Sequence, residues 1–428
     1  MKRMTIDKLR WLFLVGIIFI GTSCSKEEVV PDDGGEVVEN SQTYIYDVFK
    51  DWYFWLDEVP ELNPTDYASN EALVDALLYK ERDHWSFVAD LDDYRALFED
   101  AETKGYGVSM ALTQDDKLMV RFTYKNAPMG LAGVDRGWEI IKINQTPLQS
   151  IPDLNAAFDT DGEVNFTFVN LANDTVEYAM TRTDYKINTV LHRSVINSDG
   201  TKVGYLVFES FLKPSIEELN EAFAYFSEEN IDELVVDLRY NGGGRLDVGS
   251  ALEELIGGDE IVGKLLGRII YNSKHSDDNV NYGVEGNDLS VNLDRLFFIT
   301  TNGSASASEL VINGMFPFKE VVTIGTTTAG KPVGMNVFES EEYNIALAPV
   351  TFKILNANSE GDYFDGIPVD YEVGDDIYRA WGDPEEACLK QALNVISGNT
   401  SVIAMKSAHL QSKGLPMKRG LQEITGAY

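Results

Sequence analysis

From residue 203 onward the chain alternates short apolar runs with longer amphipathic ones, and this alternation restricts its fold more than any other feature. Residues 203–208, 234–238, 296–300 and 321–325 are strand-length runs rich in Val, Ile, Leu and Phe. Between them, residues 215–229, 247–256 and 306–316 read as helices. Ser215 stands where an N-cap belongs in the first of these, with Glu218 at capping-box spacing. Strands and helices in alternation, joined by mostly short connections, predict an α/β fold.

Composition narrows the function classes. The 428 residues suffice for two or three domains, and a 44% hydrophobic share excludes wholesale disorder. Seventy acidic against 35 basic side chains give a net charge of −35, which repels phosphate backbones and argues against general nucleic-acid binding. The two cysteines, Cys24 and Cys388, cannot build a disulfide scaffold, a CxxC redox site or a zinc cluster. Four histidines leave little room for His-rich metal chemistry and point away from a histidine base. No metal or cofactor is expected.

Residues 1–24 read as an address label. Lys2, Arg3, Lys8 and Arg10 precede an apolar run from Trp11 to Ile20, too short to stay in a bilayer as a spanning helix. Gly21-Thr22-Ser23-Cys24 then resembles the lipobox of bacterial lipoproteins, in which the cysteine is lipid-modified and becomes the new N-terminus. Gly21 departs from that pattern, where a bulky aliphatic is usual, and plain secretory cleavage is the alternative. Residues 25–42 have the acidic, polar composition of a flexible tether. The resemblance implies a cell-envelope protein, anchored to the outer membrane and facing the periplasm or the exterior. Its contact with membrane is then through the N-terminal lipid alone.

Residues 43–98 look helical, with Ser69 or Asn70 placed to cap a helix over 71–79. Residues 99–187 change to short strands: Val108–Leu112 and Leu118–Thr123 flank Gln114-Asp115-Asp116, a hairpin signal. The run from Ala127-Pro128 through Ala132-Gly133-Val134 to Gly137-Trp138-Glu139-Ile140-Ile141-Lys142-Ile143-Asn144 resembles a PDZ domain. Gly105, Tyr106 and Gly107 look like that fold's carboxylate-binding loop, where successive backbone N–H groups hold a peptide C-terminus. A scaffold domain with a degraded groove is the other reading. The polar end, 399–428, reads as a tail.

Three segments carry chemistry, and each follows a strand, where ligand sites of α/β sheets gather. Gly303-Ser304-Ala305-Ser306-Ala307-Ser308-Glu309 enters a helix, so a hydroxyl lies near unpaired N-terminal N–H groups that suit an oxyanion. Three serines merely capping a helix is the plainer reading of that stretch. Asp237-Leu238-Arg239-Tyr240-Asn241-Gly242-Gly243-Gly244 ends a second strand, without the GKS/T element of a P-loop. Thr328-Ala329-Gly330-Lys331 ends a third; a lysine in an apolar pocket beside the serine would have its pKa lowered and could act as a base.

Together these motifs resemble the C-terminal processing (tail-specific) peptidases, serine proteases with a Ser–Lys dyad, over residues 44–396. The later Gly366-Ile367-Pro368-Val369-Asp370 and Gly382-Asp383-Pro384 also look familial. The resemblance implies a small helical N-terminal domain, a PDZ-like domain and a crotonase/Clp-protease-like α/β catalytic domain over residues 188–398. It assigns Ser306 as nucleophile and Lys331 as base, with the amides of Ala307 and Gly243, or Gly242, as oxyanion hole. It implies polypeptide substrates, and leaves the oligomeric state open. Where many members carry a glutamine four residues after the lysine, this chain has Met335, which cannot firmly hydrogen-bond. Asn336, another polar group or no third member takes that place. The rival expectation is a non-catalytic peptide-binding lipoprotein on an inactive peptidase scaffold.

Overall fold

The computed structural model describes residues 40–158, 160, 162–399 and 401. The leader, most of the tether, Cys24 and nearly all of the C-terminal tail lie outside the described residues. The described residues group as one compact unit.

At its centre is a six-stranded sheet in the order Val190–Ser198, Thr201–Phe208, Glu233–Asp237, Arg295–Thr300, Glu320–Gly325, Tyr371–Glu372. The first pair is antiparallel and the rest are parallel. Side chains alternate between the faces, as the pleat requires. Leu206, Val236, Leu296 and Phe298 pack one face against the helices Ser215–Glu229, Leu246–Gly257 and Ala307–Met315. Tyr205, Val235, Phe297 and Ile299 pack the other against helix Ala387–Ile396, which holds the buried Cys388. Burial on both faces explains why the strands are apolar throughout rather than alternating.

Ser215 does not cap its helix. Pro214 takes the N-cap position, while Ser215 Oγ accepts from Leu212 N–H and donates to the Ser210 carbonyl, a bend no local pattern announces. The Glu218 carboxylate accepts from Val190 N–H at 2.7 Å instead of closing a capping box.

A second sheet, antiparallel, runs Val108–Leu112, Leu118–Thr123, Glu139–Ile143, Glu163–Val169, Thr175–Thr181 over its own core of Val120, Ile140, Phe166 and Phe168. The hairpin has the strands read from its sequence. The N-terminal region is only partly helical. Helix Ser41–Trp52 and helix Asn70–Leu77, capped by Ser69, are followed by strand Phe87–Asp90 and helix Leu91–Phe98. That strand pairs with Ile345–Ala348, so this region shares a sheet with the far end of the chain. Its partner lies over 250 residues away, which is why a local reading missed it. No helix of the described residues is long and apolar enough to cross a membrane.

Candidate active site

The strand Arg295–Thr300 ends in a tight turn that delivers Ser306 to the N-terminus of helix Ala307–Met315. Ser306 has φ 55° and ψ −111°, a conformation that costs a non-glycine residue about 1–3 kcal/mol and persists only where the surroundings enforce it. The enforcing bonds are on either side. Ser304 Oγ donates to the Leu238 carbonyl at 2.7 Å, Ser308 Oγ to the Asn241 carbonyl at 2.9 Å, and Ala305 N–H to the same carbonyl at 3.0 Å. The two outer serines therefore lace the serine turn to the turn of residues 238–244.

That lacing sets Gly243 against the serine. A Cβ on Gly243 would lie 2.8 Å from Ser306 Cβ and 3.0 Å from Ala307 N, at φ +102°, so only glycine fits. Ala307 N–H is a first-turn amide, which has no intrahelical acceptor. The Gly243 N–H, expected to point at an oxyanion, donates to Asn241 Oδ1 at 2.9 Å. For it to serve as an oxyanion donor the Asn241 side chain must release it, and the neighbouring Gly242 stays open as the alternative.

The turn is anchored from beneath by buried charge. Arg239 bonds Asp237, Asp375 and Glu386 at 2.7–3.1 Å. Arg136, in the turn that leads into strand Glu139–Ile143 of the second sheet, reaches the same Asp375 at 2.6 Å and Tyr240 Oη at 2.7 Å, and lies over the Trp381 ring. Burial alone would raise the Asp375 pKa; Arg136 and Arg239 hold it well below the usual carboxylate range. The second sheet is thus pinned three residues from Gly243.

Lys331 follows Gly330 after the strand Glu320–Gly325 and is 4% exposed. Its ammonium sits 5.8 Å from the centroid of the Trp85 ring. Burial lowers its pKa from 10.5 to about 8, against the opposing charges of Asp83 and Glu309. Met335 lies in the short strand Val333–Met335 and packs among apolar side chains. Asn336 bonds Thr351 Oγ1 through its backbone amide, and neither residue hydrogen-bonds Lys331 among the described residues.

What joins the serine turn to the lysine turn is Glu309, the last residue of the serine motif. Glu309 is fully buried and accepts four bonds. Its Oε2 takes Ser306 N–H at 2.9 Å and Lys331 N–H at 2.8 Å; its Oε1 takes Gly330 N–H at 2.7 Å and Thr328 Oγ1–H at 2.5 Å. One carboxylate therefore clamps both functional turns at once. Burial raises its pKa, and these donors oppose the rise. Its place three residues after Ser306, at capping-box spacing, was the available signal. Asp83 and Trp85 carry no signal in the sequence that ties them to the site, yet the charge of Asp83 acts on Lys331 and the Trp85 ring lies beside its ammonium.

The remaining expected residues belong elsewhere. Gly105, Tyr106 and Gly107 lie at the edge of the second sheet, where the carbonyls of Tyr106 and Gly107 accept from Met129 and Tyr124 N–H. A Cβ on Gly107, at φ +69°, would strike Ala127, and the Tyr106 side chain is buried in that sheet's core. His84 is exposed, His192 bonds Ser194, and His275 lies between Asp51 and Asp278 on the Trp52 ring. Among the described residues no group of His, Cys, Asp and Glu could hold a metal ion.

The site therefore pairs a strained serine at a helix N-terminus with a buried lysine of depressed pKa. Residues 202–373 match peptidase family S41, and residues 40–87 match the peptidase S41 N-terminal domain, together more than half of the chain. The chain belongs to peptidase family S41. It is similar to a Bacillus subtilis carboxy-terminal processing protease, CtpB: 24% identical over 82% of this chain and 72% of that protein. It is also similar to a Staphylococcus haemolyticus protein described as a CtpA-like serine protease, 23% identical over 73% of this chain. That match spans only 61% of the staphylococcal relative's length. Among solved structures, a Bacteroides fragilis protein described as an S41 protease superposes with a TM-score of 0.71, at 23% identity over 88% of this chain and 100% of its own. That likeness concerns the fold, a mixed α/β architecture behind an N-terminal helical region.

Proposed function

We propose that this chain is a cell-envelope serine endopeptidase that hydrolyses peptide bonds in polypeptides. The observation that carries the reading is the buried Lys331, its pKa lowered to about 8, whose backbone N–H shares the Glu309 carboxylate with the backbone N–H of Ser306. Neutral Lys331 takes the Ser306 hydroxyl proton as Oγ attacks the scissile carbonyl carbon. The oxyanion forms beside Ala307 N–H, with Gly243 or Gly242 as the second donor. As the tetrahedral intermediate collapses, the C–N bond breaks and the lysine's proton passes to the leaving amine. Water, deprotonated in turn by Lys331, hydrolyses the acyl-enzyme and releases Ser306.

The second sheet is read as a PDZ-like domain, on the strength of its antiparallel order, the small helix Pro128–Leu131 and the Gly105–Gly107 loop. It would present the substrate's C-terminal tail. Cys24 is read as the lipidated N-terminus of the exported protein, a reading that rests on the leader's sequence alone; an unlipidated mature protein in mass spectrometry would remove the anchor.

Incubation of an unstructured peptide with wild type, Ser306→Ala and Lys331→Ala, followed by mass spectrometry of the products, tests the reaction. Cleavage by wild type should rise with pH through about 8, as the lysine loses its proton, and vanish in both variants. Unchanged turnover in either folded variant would refute the assignment.

A further inference from the structure

We infer that Asp83 is the positioning residue of Lys331, a buried anion that supports the ammonium formed when the lysine takes its proton. The inference rests on the Ser–Lys reading above and supplies what Met335 cannot. Asp83 is 0% exposed, and both of its oxygens are held. Oδ1 accepts from Trp85 N–H at 2.9 Å and Ser86 N–H at 3.0 Å; Oδ2 accepts from Tyr53 Oη–H at 2.7 Å and Ser86 Oγ–H at 2.5 Å. Every one of these donors lies in the N-terminal region, none in the turn that carries Lys331. Four donors keep the carboxylate fixed, so its charge stays in one place.

The loop around Asp83 is fastened to the lysine's surroundings at three points. The Trp85 ring lies 5.8 Å from Lys331 Nζ. Ser86 Oγ accepts from Val350 N–H at 2.8 Å, and Val350 is the strand partner of Met335. The Arg82 guanidinium lies over the Phe364 ring, and the Phe364 carbonyl backs Gly330 so closely that a Cβ there would collide with it. Of the two charges that favour the protonated lysine, Asp83 acts more strongly than Glu309. Glu309 already spends its oxygens on four donors around the two turns.

The chemistry needs such a charge. When the Ser306 Oγ–H proton moves to the Lys331 lone pair and the Oγ–C bond forms, a cation appears on a side chain that is only 4% exposed. Burial disfavours that cation strongly unless an anion is at hand. A fixed carboxylate serves the lysine as an electrostatic partner without touching the substrate. The N-terminal region then completes the active site and is more than a cover for it.

The test reads the rate at which a fluorophosphonate probe labels Ser306 in the full chain, as a function of pH. Wild type should label faster as pH rises through the lysine's midpoint. Asp83→Asn, with folding checked by circular dichroism, should move that midpoint to lower pH, because loss of the anion favours the neutral amine. Its high-pH plateau should fall several-fold, because the amine is then a weaker base. Asp83→Glu should return the midpoint towards wild type, and it carries the test through a displaced midpoint if the Asn variant does not fold. A purely structural role would lower labelling and leave the midpoint in place, which would overturn the inference. PH-independent labelling of wild type, or wild-type labelling of Lys331→Ala, would instead overturn the Ser–Lys reading.

Discussion

Lysine 331 should destabilise the protein it serves, and Lys331→Met exposes that cost. The ammonium has an ordinary pKa of 10.5 when solvated and about 8 in the folded site, because burial disfavours its charge. The unfolded chain therefore holds this proton more tightly than the folded one. Above about pH 10.5 the lysine is neutral in both states and costs nothing; the penalty grows as pH falls to 8 and is complete below it. The gap between the two pKa values corresponds to about 3 kcal/mol at pH 7. Methionine has a similar length and no charge, so it removes the penalty. It also forfeits the contact of the ammonium with the Trp85 ring, about 0.5–1 kcal/mol, leaving a net gain of roughly 2 kcal/mol. Urea unfolding of both proteins at pH 7 and pH 9.5 measures it. The variant should unfold at higher urea at pH 7, the difference should narrow markedly by pH 9.5, and peptide cleavage should be absent. A variant no more stable than wild type at pH 7, or an advantage indifferent to pH, would refute the claim that this lysine is buried at an electrostatic cost.

Glu309→Gln replaces one of two acceptor oxygens by a donor and leaves at least one buried N–H of the clamp unpaired, for about 1–3 kcal/mol of stability. Peptide cleavage should fall at least about tenfold with it, since serine and lysine turns lose their common tie; a folded variant of full activity would contradict the clamp. Gly243→Ala places a methyl against Ser306 and Ala307 and should lower kcat by about 10²–10³, as loss of an oxyanion donor does, with little change in KM. Steady-state kinetics that show a normal kcat would place the oxyanion elsewhere. Arg136→Met removes one cation from the buried network around Asp375 and should cost about 3–5 kcal/mol in chemical unfolding, far more than a surface ion pair; a loss below about 1 kcal/mol would mean that the network does not pin the second sheet.

Local order in this chain was written locally. The apolar runs of the central sheet, the hairpin around Asp115, the Ser69 cap and the strand-to-helix placement of Ser306 each depend on a window of a dozen residues or fewer. In such windows, side-chain period and capping chemistry decide the outcome. Ser306 and Lys331 stood out as candidates for the same reason, since each sits in a short motif that follows a strand. Ser215 and Glu218 failed although their spacing was right, because distant groups, the Leu212 amide and the Val190 amide, offered better partners.

The decisive features of the site are of that second kind. Strand Phe87–Asp90 finds its partner at Ile345–Ala348, Arg136 meets Asp375, and the Asp83 loop reaches the Lys331 turn, each across more than two hundred positions. No period or spacing encodes those pairings, because a carboxylate or guanidinium in a sequence looks the same whether it faces water or a buried partner. The chain's own text was enough for the α/β class and the family resemblance, and it put Ser306 and Lys331 forward as the candidate pair. Tertiary structure alone decided how basic that lysine is, because its pKa comes from the water that surrounding segments exclude and from the two carboxylates they bring.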